Sequence, residues 1–366
     1  MIKSKKITVL QAYMILMLSI GVSNHVLLIP LVLQAAKRDA WISILVAGVP
    51  ILILSTIWYA LIRKTKQQHI LTWIQQHFGV SLAWIVRALV MVLLILTAWI
   101  GIKDTVNWTK ITYLPQTPLW AIALALCILC YFAANLGLPT IAISSGVLLP
   151  FVVILGFFVM SVNFTHKNYS MLTPSFTHGY QPVLHGAITA LEAFGELIIL
   201  LFMQHHISSK IKIMPLLVLT MILIGLALGP LMGAIAIYGP FEAADMRYPA
   251  FEQWRMVSVG KFVTHLDFLS IYQWLAGSFI RISLSLFILV DLFCFQSKKT
   301  RTAAILIISL LFFIMSQIPL SDMTLLHIEK KFLFPYLFVI ALLITAILIV
   351  LSWIRTIKST TDVAKE

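Results

Sequence analysis

The stretch LEAFGELIILLF, residues 191–202, decides the fold class because it places two acidic side chains inside an otherwise apolar segment. Glu192 and Glu196 are four residues apart, so on a helix they lie one turn apart on the same face. A charged side chain at the centre of a membrane-spanning helix costs about 2.5–3.5 kcal/mol on insertion scales. The two glutamates must therefore face protein or water, or carry a proton. This pattern indicates a polar site within a transmembrane segment.

The composition of the whole chain is typical of a polytopic membrane protein. Of its 366 residues, 61% are hydrophobic and 11% are charged, and the mean hydropathy is +1.00. Water-soluble globular proteins do not reach these values. A span of the ~30 Å hydrocarbon core takes about 20 apolar helical residues, and a helix satisfies its own backbone hydrogen bonds there. We therefore predict an all-α membrane protein.

Ten apolar segments are long enough to be transmembrane helices, and together they form one predicted membrane domain over residues 1–366. The predicted limits are 7–34, 40–62, 82–102, 118–136, 140–163, 183–204, 213–238, 266–293, 302–319 and 333–354. Between the second and third segments, KQQHILTWIQQHFG (66–79) carries apolar residues at helical spacing. This stretch is either a short helix in the membrane interface or an amphipathic linker.

Lysine and arginine collect on one side of this predicted topology. That side holds Lys3, Lys5, Lys6, Arg63, Lys64, Lys66, Lys210, Lys212, Lys298, Lys299, Arg301, Arg355, Lys358 and Lys365, against Asp362 and Glu366. The positive-inside rule makes this side cytoplasmic, with both termini inside. The net charge of +13 therefore reflects topology and does not indicate nucleic-acid binding. The first apolar stretch is too long for a cleavable signal peptide and lacks its small-residue cleavage pattern.

Two spans contain helix-weakening residues near mid-membrane, five helices apart. The first span reads LSIGVSNHVLLIP at 18–30, and the sixth reads EAFGELI at 192–198. Taken alone, the first pattern also suits a kinked helix that packs closely through small residues. Together they predict a five-plus-five inverted-repeat bundle with broken first and sixth helices, in which freed backbone groups bind a ligand. The residues predicted to do so are Gly21, Val22, Ser23, Asn24, Phe194, Gly195 and Glu196.

Arg281 is a further ionisable group inside a predicted span, in LAGSFIRISLSLF (275–287), with Ser278 and Ser285 on its face. Because a buried charge is normally paired, Arg281 is expected to bind Glu196 or Glu192. The alternative is a purely structural ion pair between two helices. The predicted walls of the binding site are Ala98 and Trp99 from the third span and Ser278 and Arg281 from the eighth.

The sequence offers no pattern for catalysis or for a cofactor. Cys127 and Cys130 form a C-x-x-C inside the fourth span, where buried packing is the favoured interpretation. His205 and His206 are adjacent and so lack the i, i+4 spacing of a helical metal site. Asp291 is expected to lie at the interface near Lys298 and Lys299. We predict that the chain is not an enzyme and holds neither cofactor nor metal ion.

Four stretches resemble the spore germination permease family. LIPLVLQAAKRDAWISILVAG (28–48) is similar to the family's first loop, with an L-P at the end of the first span and D-A-W-I-S opening the second. ITVLQAYMIL (7–16), AFGELIILLF (193–202) and the segment 248–279 resemble its opening, sixth span and Y-P…R…W segment. This chain departs from the family's Gly-rich first break, since it reads GVSNHVLLIP at 21–30.

This resemblance implies the B subunit of a nutrient germinant receptor, with a ten-helix fold similar to amino acid permeases. It further implies the spore inner membrane, a larger A subunit and a lipid-anchored C subunit as partners, and a small nutrient such as an amino acid, nucleoside or sugar as ligand. Ligand binding would change the conformation and so signal germination. Two alternatives remain. One is a secondary transporter, in which Glu196 or Glu192 would carry the proton if transport is proton-coupled. The other is a scaffold that binds no ligand.

Overall fold

The computed structural model describes residues 6–258 and 265–363, with side chains as far as residue 354. Apart from one β-bridge between Ile7 and Ile207, the regular elements of the described residues are helices. Several residues used above to predict the orientation lie outside the described part, namely Lys3, Lys5, Lys365 and Glu366. The same holds for residues 259–264 of the segment 248–279, and for the side chains of Arg355, Lys358 and Asp362.

Nine helical stretches of the described residues are long and apolar enough to cross a membrane. The first of them, Val9–Lys64, has 56 residues, which at 1.5 Å per residue is far longer than one ~30 Å crossing needs. It reverses direction at Lys37–Asp39, where Lys37 has a φ of 47°, and so supplies two crossings. This confirms the predicted all-α membrane fold, and with this division the described helices match the ten predicted spans in number.

The ten spans are numbered here as first to tenth helix. Their bounds are Val9–Ala36, Ala40–Lys64, Val80–Thr112, Leu119–Leu136, Leu138–Val162, Gln181–Met203, Ile213–Tyr238, Leu269–Asp291, Lys298–Ser316 and Asp322–Val363. The end of the bundle that carries the links 65–79, 204–212 and 292–297 is called the basic end, and the other is called the opposite end. The sixth and eighth helices form the core, because 83% of the apolar window of each is buried, whereas only 22% is buried in the fifth and ninth.

The first and sixth helices are both interrupted, as the sequence predicts. The first helix changes to a π-helix over Ser23–Leu28, and the sixth tightens to a 3₁₀ turn over Gly195–Ile198. Neither segment is unwound, so the predicted break takes the form of a change in helical winding. Such changes keep backbone groups hydrogen-bonded inside an apolar bundle and frequently mark functional sites.

Glycines bring neighbouring helices close to these interruptions. A Cβ on Gly277 of the eighth helix would lie 2.7 Å from the Cβ of Val22 and 3.1 Å from the Leu18 carbonyl oxygen. A Cβ on Gly195 would lie 2.9 Å from Cδ2 of Phe338 in the tenth helix. The first and eighth helices, and the sixth and tenth, therefore pack at distances that exclude a larger side chain.

Two segments contain helical structure beyond the ten predicted spans. Residues Ile70–Phe78 form a short helix, which begins at a cap in which the His69 imidazole accepts from the backbone N–H of Thr72, and it packs against the third helix. Of the two alternatives for this segment, the structure shows the helix. The third helix continues to Thr112, whereas the predicted limit is residue 102, and this extension carries Lys103 and Asp104 into the protein interior at 2% exposure each.

Candidate functional site

An ion pair between the sixth and eighth helices lies at the centre of the bundle. Both guanidinium Nη atoms of Arg281 donate to the Glu196 carboxylate, one of them to Oε2 at 2.7 Å. The two residues are 1% and 3% exposed. Planar, bidentate pairing of this kind is the strongest geometry that arginine and carboxylate can form. It joins the eighth helix to the 3₁₀ turn that interrupts the sixth.

The same guanidinium also contacts the first and third helices. Arg281 Nη1 donates to the Ser19 carbonyl oxygen at 3.2 Å, in the last turn before the π-helical segment, and Nε donates to the Thr97 carbonyl oxygen at 3.4 Å. A Cβ on Gly101 would lie 3.4 Å from Arg281 Cδ, so the glycine leaves room for the arginine stem. Arg281 therefore links four helices, including the interrupted first and sixth helices.

A small cavity lies beside Arg281. It is lined by Val22, Val26, Leu27, Gly101, Asp104, Thr105, Trp274, Ser278 and Arg281. Its water-accessible volume is about 10 Å³, which is room for about one water molecule. The first, third and eighth helices supply its walls, and these place one carboxylate and one guanidinium in a single small space.

A chain of hydrogen bonds leads from the cavity toward the opposite end. The Ser278 and Thr105 hydroxyl oxygens are 2.6 Å apart, and the Trp274 indole N–H donates to Thr105 Oγ1 at 3.2 Å. The Trp274 ring stacks on Trp108 with centroids 3.9 Å apart and meets Tyr248 edge to face. Aromatic rings therefore close the cavity on the side of the opposite end.

Next to these rings lies a buried charge cluster, which we call the opposite-end cluster: Asp104, Arg247, Tyr248 and Glu329. Arg247 Nη2 donates to Asp104 at 2.9 Å and to Glu329 at 3.1 Å. The Tyr248 hydroxyl donates to the same Asp104 oxygen at 2.8 Å. Burial, followed by the Asp104 charge, raises the pKa of Tyr248 well above its usual value, so this hydroxyl keeps its proton at neutral pH. The cluster joins the third and tenth helices through the link between the seventh and eighth.

The predicted site residues fall into three groups in the structure. Val22, Ser278 and Arg281 line the cavity, and Glu196 is bound to Arg281. Ser23 lies beside the Glu196 carboxyl, while Ala98 and Phe194 are buried in the surrounding core. Three others point elsewhere: Asn24 donates to the Leu223 carbonyl oxygen, Trp99 donates to the Met315 carbonyl oxygen, and a Cβ on Gly21 would face Leu226. Gly195 approaches the tenth helix, as described above.

Glu192 is separate from this arrangement. It is 8% exposed, and no hydrogen bond or ion pair of the described residues involves its carboxyl group. Of the two acids proposed as partners for Arg281, the structure selects Glu196. The Ser285 hydroxyl, expected on the same face as Arg281, donates to the Arg281 carbonyl oxygen at 3.0 Å.

Several cavity residues are absent from the sequence prediction, and helical spacing could have found two of them. Trp274 precedes Ser278 by four residues and Arg281 by seven, so the three share a face of the eighth helix. Thr105 follows Gly101 by four residues on the third helix. Helical spacing could not have predicted that the members of the opposite-end cluster meet, because they come from three separate parts of the chain.

A second cluster of ionisable groups lies at the basic end, and we call it the basic-end cluster: His69, His205, His206, Asp291 and Cys294. The Nε2 atoms of His205 and His206 both lie within hydrogen-bonding distance of Asp291 Oδ2, at 2.9 and 3.0 Å. Asp291 is thus held by two histidines, and its position at the interface near Lys298 and Lys299 stays a prediction. Adjacent residues on a regular α-helix point to different faces. His205 and His206 both reach Asp291 because the helix changes to a 3₁₀ turn at Gln204–His206.

Comparisons with known proteins agree with this architecture. A solved structure titled "Substrate-bound outward-open state of a Na+-coupled sialic acid symporter" matches with a TM-score of 0.56 and 12% sequence identity, over 92% of this chain and 78% of that one. At this identity the likeness concerns the fold alone, and the fold is that of a permease-like transporter.

Sequence relatives come from spore-forming bacteria. Spore germination protein XB of Bacillus anthracis is 38% identical over 348 residues, which are 95% of this chain and 98% of that protein. Putative spore germination protein YfkT of Bacillus subtilis (strain 168) is 24% identical over 274 residues, or 74% of each chain. The family model described as "Spore germination protein" matches residues 6–324. The chain therefore belongs to the spore germination protein family, as a multi-pass membrane protein with a transporter-like fold.

Proposed function

We propose that this chain is the membrane-embedded subunit of a spore nutrient germinant receptor and that its central cavity binds a small nutrient. One observation carries the proposal: the cavity lies where the interrupted first helix meets Arg281, which is bound to the interrupted sixth helix through Glu196. Ligand contacts at this point would bear on both interrupted helices at once. The family and the spore proteins that the chain resembles support a role in germination.

The cavity wall favours an amino acid among the possible nutrients. Asp104 offers a carboxylate that suits an ammonium group, and Arg281 offers a guanidinium that suits a carboxylate. Trp274 adds an apolar face for a side chain. A sugar or nucleoside lacks this pair of opposite charges, so it would form neither of these charge-assisted contacts.

The small size of the cavity couples ligand binding to a change of conformation. Space for about one water molecule is too small for any nutrient, so binding requires the surrounding helices to separate. A ligand that binds only the more open conformer shifts the population toward it. In the proposed receptor, this shift is passed to the A subunit and the lipid-anchored C subunit in the spore inner membrane, and no covalent chemistry is involved.

The nutrient response of cavity variants tests this function. We expect Trp274→Leu to change which nutrients trigger germination, because it enlarges the cavity and removes the indole N–H bound to Thr105. The measurement is germination of variant spores on a panel of amino acids, nucleosides and sugars, with the amount of protein in spore membranes measured in parallel. Trp84→Leu is the matched control, since Trp84 is 51% exposed on the third helix far from the cavity.

The outcomes separate the proposed receptor from a scaffold. A changed nutrient preference with a normal amount of protein supports ligand binding in the cavity. An unchanged response on every nutrient, with both variants present at normal levels, contradicts it and favours a scaffold that binds no ligand.

A secondary transporter is the second candidate, and Glu192 is the observation that favours it. A buried carboxyl group with no bonded partner among the described residues is suited to taking up and releasing a proton. The discriminating measurement is uptake of labelled amino acid into vesicles that contain only this chain. Accumulation driven by a proton gradient, and lost in Glu192→Gln, would establish transport. Binding without accumulation would leave the receptor function.

A further inference from the structure

We propose that the basic-end cluster is a binding site for a divalent transition metal ion of the zinc type, with His69, His205, Asp291 and Cys294 as ligands. The donor atoms of His69, His205 and Asp291 lie within 4.8 Å of one another. Cys294 Sγ lies 3.8 Å from Nε2 of His69. The site is distinct from the central cavity and does not depend on the proposed function.

The spacing of these donors is close to that of a tetrahedral site. Zinc bonds of about 2.0–2.3 Å place two ligand atoms roughly 3.3–3.6 Å apart. Here His205 Nε2 and Asp291 Oδ2 are 2.9 Å apart, and Cys294 Sγ and His69 Nε2 are 3.8 Å apart. His69, His205 and Asp291 already lie within 4.8 Å of one another, and Cys294 Sγ would have to move toward them with His69 for all four donors to meet at one centre.

The donor set suits zinc chemically. Two imidazole nitrogens, a carboxylate and a thiol are the ligand types of zinc sites. The Cys294 thiol would release its proton on binding, and the resulting thiolate and the Asp291 carboxylate would balance the 2+ charge of the ion. Arg87 and Lys6 lie near enough to act on the histidine charges, so a site without both anions would be opposed by these cations.

Neighbouring groups are placed to orient the ligands. The Thr72 hydroxyl lies 3.2 Å from Nδ1 of His69. Metal binding at Nε2 would place the imidazole proton on Nδ1, which would then donate to this hydroxyl instead of accepting from the Thr72 backbone N–H. His206 lies 3.0 Å from Asp291 Oδ2 and can hold the carboxylate from the other side. Outer partners of this kind fix the orientation of metal ligands and raise affinity.

The position of the site gives metal binding a structural consequence. His69 precedes the short helix Ile70–Phe78, and His205 lies in the 3₁₀ turn after the sixth helix. Asp291 is the last residue of the eighth helix, and Cys294 follows it. A bound ion would join these three elements at the basic end. The sixth and eighth helices are also the two that Glu196 and Arg281 join at the centre, so the ion would restrict their separation at a second point.

Cobalt(II) is the probe for the test, because its visible spectrum reports tetrahedral coordination and its near-ultraviolet spectrum reports a thiolate ligand. The full chain, purified in detergent without a histidine tag and stripped with a chelator, is titrated with Co²⁺ and then with Zn²⁺. We expect both bands to appear and Zn²⁺ to displace them. Cys294→Ser should lose the thiolate band while retaining visible bands, and His69→Ala should weaken binding at least about tenfold.

Matched controls are Cys127→Ser in the fourth helix and His77→Ala in the short helix, neither of which should change the spectra. The proposal is overturned if wild-type protein gives no cobalt spectrum. It is also overturned if Cys294→Ser keeps the thiolate band, or if His69→Ala binds as tightly as the His77→Ala control. Where His69→Ala does not yield folded protein, Cys294→Ser decides the matter. Nutrient binding is not measured here, so failure of this site leaves the proposed function untouched.

Discussion

Arg281→Met is expected to lower the free energy of unfolding by about 3–5 kcal/mol, because it leaves the Glu196 carboxylate buried without its partner. Glu196 is 3% exposed and accepts both of its charged hydrogen bonds from Arg281. The loss is large because, among the described residues, Arg281 is the cation that acts on the Glu196 carboxyl group. The measurement is the thermal or denaturant midpoint of the purified variant in detergent, together with its amount in spore membranes.

The Glu196→Gln variant should lose less stability than Arg281→Met, but its function should still be impaired. Arg281 would keep its hydrogen bonds to the Ser19 and Thr97 carbonyl oxygens, so its charge would not be left without acceptors. We therefore expect normal amounts of this variant with impaired germination, if the charge at position 196 acts in signalling. A normal nutrient response from a normally abundant Glu196→Gln protein would restrict the pair to a structural role.

The double variant Glu196→Gln/Arg281→Met is the control for the first prediction. Replacing both members of a buried ion pair restores much of what the loss of one member costs, because no uncompensated charge remains. Its stability should therefore exceed that of Arg281→Met alone. If Arg281→Met were as stable as the wild type, Glu196 would have to hold a proton in the native protein.

The sequence predicts the central pair because burial of an ionised group is expensive. Glu192, Glu196 and Arg281 stand out in apolar segments, and pairing is the simplest way to offset the cost. The choice between Glu192 and Glu196 depends on helix rotation and on the 3₁₀ turn at Gly195–Ile198, which the spacing of residues alone does not determine. The same limit applies to Trp99 and Asn24, which lie on the expected helices but donate to backbone oxygens outside the cavity.

The extension of the third helix is the largest feature missed at the sequence level. Lys103, Asp104 and Asn107 lower the local hydropathy, so a hydrophobic segment ends near residue 102. Their partners are distant in sequence: Lys103 donates to the carbonyl oxygens of Ser316 and Ile318, and Asp104 binds Arg247. A polar stretch is stable inside the bundle only when such partners meet it, and tertiary packing alone reveals them.

Arg247→Gln is expected to open the opposite end of the protein. Arg247 is the cation that binds both Asp104 and Glu329, which are 2% and 0% exposed, so its loss would leave two buried carboxyl groups close together without that cation. Removal of one partner from a buried ion pair costs about 3–5 kcal/mol, and separation of the third helix from the tenth would let water reach both acids. Conformers with the cavity open at this end should therefore become more populated.

Access to Ser278 in the cavity wall measures this opening directly. The reporter is Ser278→Cys in a background where Cys127, Cys130 and Cys294 are replaced by serine, and the observable is its rate of alkylation by a polar maleimide in detergent. Ser278 is 1% exposed in the structure, so the labelled form must be an open one. Because each 1.4 kcal/mol changes an equilibrium tenfold, we expect Arg247→Gln to accelerate labelling at least about tenfold.

Arg255→Gln is the matched control, because it removes an arginine from an ion pair in the same link between helices. Arg255 pairs with Glu252 at 3.0 Å but its side chain is 62% exposed, and exposed pairs contribute less than about 1 kcal/mol. This variant should leave the labelling rate unchanged. Equal rates in Arg247→Gln and Arg255→Gln would show that the opposite-end cluster does not hold the cavity closed. Faster labelling in Arg247→Gln alone would identify the cluster as the gate through which a ligand enters from that end.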